Sequence, residues 1–590
     1  MASGGAPQPE YRFSLAKLLR LIVLPLVVVT GVVAWRYFGD RTSTNQRAPS
    51  PPPAGASRGL ATASARTTSG ASPGVVLSPS PAGSARAPAT STAAPRSSGG
   101  GASPAARGAA VVIAYDRFAS YLTFPYAARK GYAQGIDLQM RGFGLEEDDP
   151  PENEKYNRLR SGRYQALLAT LNQCALQCDD SMLIPFVIDE SAGADEWYVH
   201  DPIKSFTDLS GKSVCFADHS VSQALYLSIG ANLGLLDKTK PVPVNTVDDA
   251  LAGFLGGKCD SVVAWQPNTL DKLSSGGNLK PGVRKLTDSA QFRFVLDVPI
   301  FNKKWATDHP DQAQAVVDAY FRGLKDIQEN PEAAASFMLD AFKNVKSADG
   351  KTAWSDWSSI AKPEDLRAQL GTLAQATLSQ NRLALNDPKV LAGRLSEFRG
   401  YWNRGGLQGS TTDPSVLIDN HLLLKAVDNQ TLAANGPPAN ASFTLATKIT
   451  VPRLSDAELG RTQELAKLPV VKISFSPDSY QILPTSQRDL LNIAELLRQT
   501  PGVYLFMEGR AAKPLGAPPQ ETIDVAANRA NAVANFLAAQ PGIDINRLIV
   551  LWPKTDTELH QKLQHYDSTV EAELEQDRLV LFTLRRAGGQ

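Results

Sequence analysis

Cysteine is scarce in this chain. Four in 590 residues are too few to form the framework of a chain this size. Cys174 and Cys178 are close enough in sequence to pair, and Cys215 and Cys259 fall on predicted neighbouring strands. Outside the cytoplasm either pair can be oxidised, and buried free thiols are an equally consistent reading. No second CxxC-like half is present, so no zinc site is expected. Charge of one sign is also missing: 60 Lys and Arg stand against 59 Asp and Glu, a formal net charge of +1. That argues against a nucleic-acid partner, which usually demands a basic surplus. No G-x-S-x-G, Walker A, HExxH or dinucleotide glycine fingerprint occurs in the sequence. His560 and His565 share a predicted polar helix, but a spacing of five does not bring both to one metal. No cofactor and no catalysis are expected.

What is present divides the chain into parts, and 590 residues predict two or more domains. After a short cytoplasmic N-terminus (1–16), residues 17–38 contain the apolar run LIVLPLVVVTGVVAW, preceded by Arg12, Lys17 and Arg20. The run itself is short of the roughly 20 residues of a full span. Leu18, Leu19, Tyr37 and Phe38 extend it, while Arg20 and Arg36 can snorkel. We read it as an uncleaved transmembrane signal anchor ending in an aromatic belt, with the N-terminus inside. A cleavable signal peptide ending at Val32-Val33-Ala34 is the competing reading. Residues 39–108, and from Thr42 to Gly108 almost without exception, are Ser, Ala, Pro, Gly and Thr with a few Arg. Such a segment lacks the apolar side chains to fold and reads as a disordered linker. As a flexible chain of about 67 residues it would span on the order of 45 Å.

Residues 206–337 are the most informative. They open FTDLSGKSVCFADHS, pass through DDALAGFLGGKCDSVVAWQP, and continue into a helix-rich tail. The spacing predicts a strand over 213–217, bounded by Gly211 and Asp218, then a helix over 223–235 and a second strand over 261–265. Ser220 and Ser222 stand where that helix starts, so their hydroxyls and the helix N–H groups can face an anion. Strand ends in parallel α/β sheets are where ligands collect. The arrangement resembles the second lobe of periplasmic substrate-binding proteins of the nitrate/sulfonate/taurine class (type 2, NMT/THI-like), where a DLxGKxVxxxxGS turn and a GxxDAxxxWxP strand end line the cleft. Upstream, VVIAYDRFASYLTFPYAARKGYAQGIDLQM, RLRSGRYQALLATLNQ and MLIPFVIDESAGADEWYV follow the first lobe in the family's order. The resemblance covers about half the chain and implies a two-lobed substrate-binding domain over 109–430.

A connector is expected over 431–464 and a third domain over 465–588. VVKISF alternates apolar and polar residues, as a strand does. Helices are predicted over 487–499 and 525–540, and strands over 503–508, 547–551 and 578–584. The pattern resembles the OmpA-like C-terminal domain, on Ser474-Phe475, Leu483-Pro484, Glu508-Gly509 and Arg529-Ala530. In that family the domain holds peptidoglycan, and Arg529 matches the arginine that pairs the ligand carboxylate. The family's Asp in its GHTD segment falls on Ala512 here, which cannot accept from the ligand's ammonium. Its Asn falls near Thr522, and Asp577-Arg578 matches the closing pair only loosely. The fold class is therefore α/β: a two-lobed type 2 periplasmic-binding-protein fold, a small α/β OmpA-like domain, an N-terminal transmembrane helix and a disordered linker. The combination resembles a family described as phosphate-type ABC substrate-binding/OmpA proteins.

Carried over position by position, the resemblance implies a cleft lined by Phe118 and Tyr121, Thr170 and Asn172, and Ser191 and Asp195 from the first half. From the second lobe come His219, Ser220 and Ser222, then Trp265 and Gln266. Small hydroxyls and helix-end amides suit an oxyanion or small polar organic anion, although no Lys or Arg sits in these motifs. Gln266 replaces a common Glu, which removes one anchor for an amine. His219 stands where the family usually has Gly, and reads either as an anion donor or as a solvent-facing turn residue. Trp265 either stacks on the ligand or fills the wall, and Asp195 reads more readily as a hinge or cap than as a contact. Two functions follow. One is a solute receptor in the periplasm, anchored in the inner membrane, which hands a small molecule to an ABC permease or reports it. The other is an envelope scaffold positioned by an OmpA-like domain on peptidoglycan, with the lobes as a partner surface.

Overall fold

A computed structural model describes residues 109–275, 277–342, 358–432, 443–444, 451–469, 473–475 and 479–588. The expected membrane segment, the linker and much of the connector lie outside the described residues. Among the described residues no helix is long and apolar enough to cross a membrane.

The first lobe starts with a parallel layer. Strand β1 (Ala109–Tyr115) pairs with β2 (Ile136–Gly142) and β3 (Ala166–Thr170). All five residues of β3, ALLAT, are buried, as a strand covered on both faces should be. The short β4 (Met182–Leu183) and β5 (Asp189–Ser191) follow. The chain then crosses to a second sheet through β6 (Asp195–His200), β7 (Ser213–Ala217), β8 (Lys240–Val244) and β9 (Ser261–Trp265). A small hairpin of β10 (Ser274–Ser275) and β11 (Asn278–Leu279) precedes β12 (Val283–Asp288). The chain then returns to the first sheet through β13 (Leu296–Asn302), and β14 (Leu373–Gln375) closes its edge. The sheet orders are β14-β5-β13-β3-β1-β2, with β4 on β13, and β12-β6-β9-β7-β8. This is a two-lobed α/β architecture with two chain crossings between the lobes.

The crossings are stitched together by one serine. The Ser289 hydroxyl accepts from the backbone N–H of Gly193 (2.8 Å) and Asp195 (3.2 Å) and hydrogen-bonds the Ser191 hydroxyl (2.7 Å). Both crossings are thereby tied to each other. Away from the crossings, helix Lys389–Arg404 bridges the lobes. Its Trp402 indole donates to the Asn172 carbonyl (2.7 Å), and its Tyr401 hydroxyl accepts from Asn232 (2.8 Å). The cysteines form two disulfides, Cys174–Cys178 and Cys215–Cys259. Cys259 lies just before β9 rather than on it.

The third domain is a sheet of order β15-β18-β16-β17, built from Gln463–Lys467, Tyr504–Gly509 (β16), Leu548–Leu551 (β17) and Val580–Arg586 (β18). Its helices are Pro484–Gln499 and Pro519–Ala538. Gly509 is required where β16 meets the second helix: a Cβ there would lie 2.2 Å from the Ala526 carbonyl oxygen. An edge strand that the sequence did not suggest is QELAK (β15), antiparallel to β18. Phe475 at the end of the VVKISF run makes a single bridge to Ile482, and residues 470–472 lie outside the described set. The domain rests on the returning crossing: the Arg293 N–H donates to the Gln499 carbonyl (2.6 Å), and Arg394 lies 3.8 Å from Glu495.

Candidate functional site

Register places the site. Across the first sheet, Thr170 is opposite Asp297, and Asp297 is opposite Asp189. In the second sheet Asp195 is opposite Trp265. The strand ends β1, β3, β7 and β9 and the crossings surround a cavity of about 600 Å³ with walls from both lobes. Phe118, Tyr121, Thr170, Asp195, His219, Ser220 and Trp265 line it. Asn172, Ser191, Ser222 and Gln266 do not. Asn172 donates to the Phe294 carbonyl (2.7 Å), Ser191 belongs to the hinge stitch, and Gln266 donates to Glu196 (3.0 Å). Ser222 is buried within its helix. These four are framework residues, since their polar atoms face the protein interior.

The helix Val221–Leu233 starts two residues before the expected 223, and several of the polar groups at its start are already engaged. The Ser220 hydroxyl donates to the Ala217 carbonyl (2.7 Å) and accepts from the Ser222 N–H (3.1 Å), the bonding of an N-cap. The His219 N–H donates to the Gln223 side chain (2.6 Å). An oxyanion at this helix end would compete with these bonds. His219 has φ +55°, the left-handed conformation that costs a non-glycine residue roughly 1 kcal/mol or more. Glycine would adopt this conformation without that cost. His219→Gly is expected to raise the unfolding free energy of the ligand-free protein by about 0.5–1 kcal/mol in urea melts. A loss of stability would contradict the strain assignment.

The sequence reading missed the acidic wall. Asp116, Asp149, Glu152 and Asp297 line the cavity alongside Asp195. The signals were a lone Asp297 within the apolar run from Phe294 to Phe301, and the acid-rich loop before helix Glu152–Arg160. The Lys155 ammonium in this wall is surrounded by Asp116 (2.7 Å), Glu152 (2.9 Å) and Asp149 (3.1 Å). Burial pulls its pKa down, but the three carboxylates outweigh burial and hold it well above the ordinary lysine value. Burial pushes Glu152 up to about 7 despite Lys155.

Deeper in, Asp195 is 2 % and Asp297 1 % exposed. The Tyr121 hydroxyl donates to one Asp297 oxygen. The other Asp297 oxygen, and Oδ2 of Asp195, have no hydrogen-bond partner. Burial pushes Asp195 up to about 7, and burial together with the Asp189 charge pushes Asp297 well above the carboxylate range. Among the described residues, no group of three or more His, Cys, Asp or Glu is arranged to hold a metal ion. In the third domain, Arg529 lies on helix Pro519–Ala538 with its guanidinium 5.0 Å from the Phe475 ring centroid.

Comparison with known proteins agrees with this division. Residues 195–334 match the family described as NMT1/THI5 like, and residues 474–562 match the OmpA family. The chain thus carries an NMT1/THI5-like domain and an OmpA domain. No curated protein matches the chain. Among solved structures it is similar to the periplasmic aliphatic sulphonate binding protein of Escherichia coli, at 16% identity and TM-score 0.39, over 52% of this chain and 92% of that one. It is also similar to the periplasmic nitrate-binding protein of Synechocystis PCC 6803, at 10% identity and TM-score 0.40, over 55% of this chain and 89% of that one. A putative periplasmic sulfonate-binding protein from Methylobacillus flagellatus KT shares 15% identity at TM-score 0.39, over 57% of this chain and 98% of that one.

Proposed function

We propose that this chain is a solute receptor of the bacterial envelope, whose two lobes close on a small polar molecule. The observation that carries the reading is the cavity of about 600 Å³ at the strand ends, walled by both lobes and served by a two-strand hinge. That volume is within the range of small-molecule sites, which are concave and bounded by a few convergent polar groups. The NMT1/THI5-like match over 195–334 supports the same class. Transfer of the solute to an ABC permease, or its sensing, is the step such a receptor serves.

Placement follows from the remaining parts. Residues 17–38 anchor the chain in the inner membrane, the linker spaces it off, and the bulk stands in the periplasm. The two disulfides support an oxidising compartment. The OmpA domain holds the molecule at peptidoglycan through Arg529, without the ammonium contact that Ala512 cannot make. A thermal-shift screen of the full chain in detergent tests the receptor reading, using oxyanions, sulfonates, pyrimidines and amines. One class is expected to raise the melting temperature by roughly 3–6 °C at a hundredfold excess over Kd. Phe118→Ala with Trp265→Ala should abolish the rise. A flat screen, or a rise that survives both substitutions, would overturn the reading.

A further inference from the structure

The charge of the cleft is not that of an anion site. Seven of the residues lining it are Asp or Glu, against one Lys, one Arg and one His. The lysine is already neutralised by three carboxylates, and His219 Nδ1 lies 3.4 Å from Asp218. The hydroxyl and amide groups at the helix start bond one another. An anion entering here would meet a wall dominated by like charge.

Two observations beyond the acid count point to the opposite sign. Asp195 and Asp297 are both at least nine-tenths buried and both line the cavity; Asp195 Oδ2 has no protein partner, while the second oxygen of Asp297 faces only the carboxyl of Asp189. A buried acceptor left unpaired costs free energy unless a ligand satisfies it. The second observation is aromatic. Phe118, Tyr121 and Trp265 line the same cavity, and Trp265 stands directly across the sheet register from Asp195. Aromatic faces beside carboxylates form the surroundings that attract an ammonium group.

We propose that the cleft recognises a small organic cation, a primary or quaternary amine, with its charged nitrogen held by Asp195 and Asp297 against Trp265 and Phe118. The assignment rests on the receptor reading and names the class of solute. A cation supplies the counter-charge that the wall lacks: a primary ammonium donates charge-assisted hydrogen bonds to the carboxylates, and a quaternary one is held by Coulomb attraction and the aromatic faces. It also lets two acids that burial keeps protonated ionise in place. The size of the cavity fits an organic molecule rather than a bare ion.

The test is calorimetric titration of the full chain in detergent with matched probes. Choline, agmatine and cadaverine are the cations. 3,3-Dimethylbutan-1-ol and pentane-1,5-diol are neutral counterparts, and nitrate, methanesulfonate and glutarate are the anions. At least one cation should bind, and its neutral counterpart should bind at least about thirtyfold more weakly. Asp195→Asn and Asp297→Asn should each weaken the cation by a similar factor. Asparagine matches a protonated aspartic acid in size and carries no charge, so the variants should remain folded, which circular dichroism checks. Binding by the neutral or anionic probes alone would overturn the cation assignment and leave the receptor reading standing. Cation binding that survives both substitutions would overturn the site. Failure of all eight probes to bind would count against both.

Discussion

Asp195→Asn is expected to stabilise the ligand-free protein at pH 8 and to change it little at pH 4. In the unfolded chain Asp195 titrates near its ordinary 3.8, whereas in the folded protein burial pushes it up to about 7. Between those values the folded state keeps a proton that the unfolded state has released. Stability is therefore greatest below about pH 4, falls as pH rises, and has lost the full contribution above about pH 7, at about 1.4 kcal/mol per pH unit. The shift is worth about 4 kcal/mol as an upper figure, and asparagine, which carries no charge, should recover most of it. The groups facing Asp195 agree in sign. Glu196 raises it further and only the Ser191 hydroxyl opposes, while Asp189 and Asp297 are themselves raised by its charge. Urea unfolding at the two pH values, followed by tryptophan fluorescence, measures the difference. An equal change at both pH values, or a loss at pH 8, would contradict the account. A buried acid that weakens the empty protein is a cost consistent with a binding role.

Arg547→Ala is expected to cost the third domain about 3–5 kcal/mol. Arg547 is 3 % exposed. Its guanidinium donates to the carbonyls of Val503 (2.8 Å) and Leu497 (2.6 Å) and to that of Thr500. These groups lie at the end of helix Pro484–Gln499 and just before β16. The arginine thus adds a donor to the last carbonyls of a helix C-terminus, two of which also accept a backbone N–H, and positive charge is favoured there by the helix dipole. Burial pulls its pKa down to about 10 even with Asp544 nearby. Alanine takes the donor from the Val503 carbonyl and the second donor from the Leu497 and Thr500 carbonyls, which keep the N–H groups of Thr500 and Val503. Arg547→Lys should recover less than half of the loss, because one ammonium cannot reach all three carbonyls in the geometry of the planar fork. Amide exchange of β16 and β18 in the full chain reads the local stability without assuming that all domains unfold together. A loss below about 1 kcal/mol would show that water replaces the arginine.

Those two residues mark what was legible in the sequence and what was not. Strands β7 and β9 were legible to the residue because each is a short apolar run between Gly or Asp punctuation. The helix after Ser220 was also legible, but not the direction of its hydroxyls, since an N-cap and an anion site look alike in sequence. His219 was marked by its departure from glycine, and its positive φ supplies the reason. The acidic wall was not legible. Asp116, Glu152 and Asp297 are far apart in the chain and join Asp195, which the sequence did place at the cleft, only through the fold. The third domain's edge strand QELAK was not legible because it does not alternate; pairing with β18 defines it. Arg547 gave no signal, because its partners are backbone carbonyls.

The central claim is that both lobes grip one molecule across the cleft. Hydrogen–deuterium exchange of the full chain, with and without the tightest-binding of choline, agmatine and cadaverine, tests it most directly. The account predicts slowed exchange on both walls at once, at 116–122 of the first lobe and 217–222 of the second, together with the hinge at 191–195 and 289–295. Protection confined to one wall, or found only in the third domain, would contradict it.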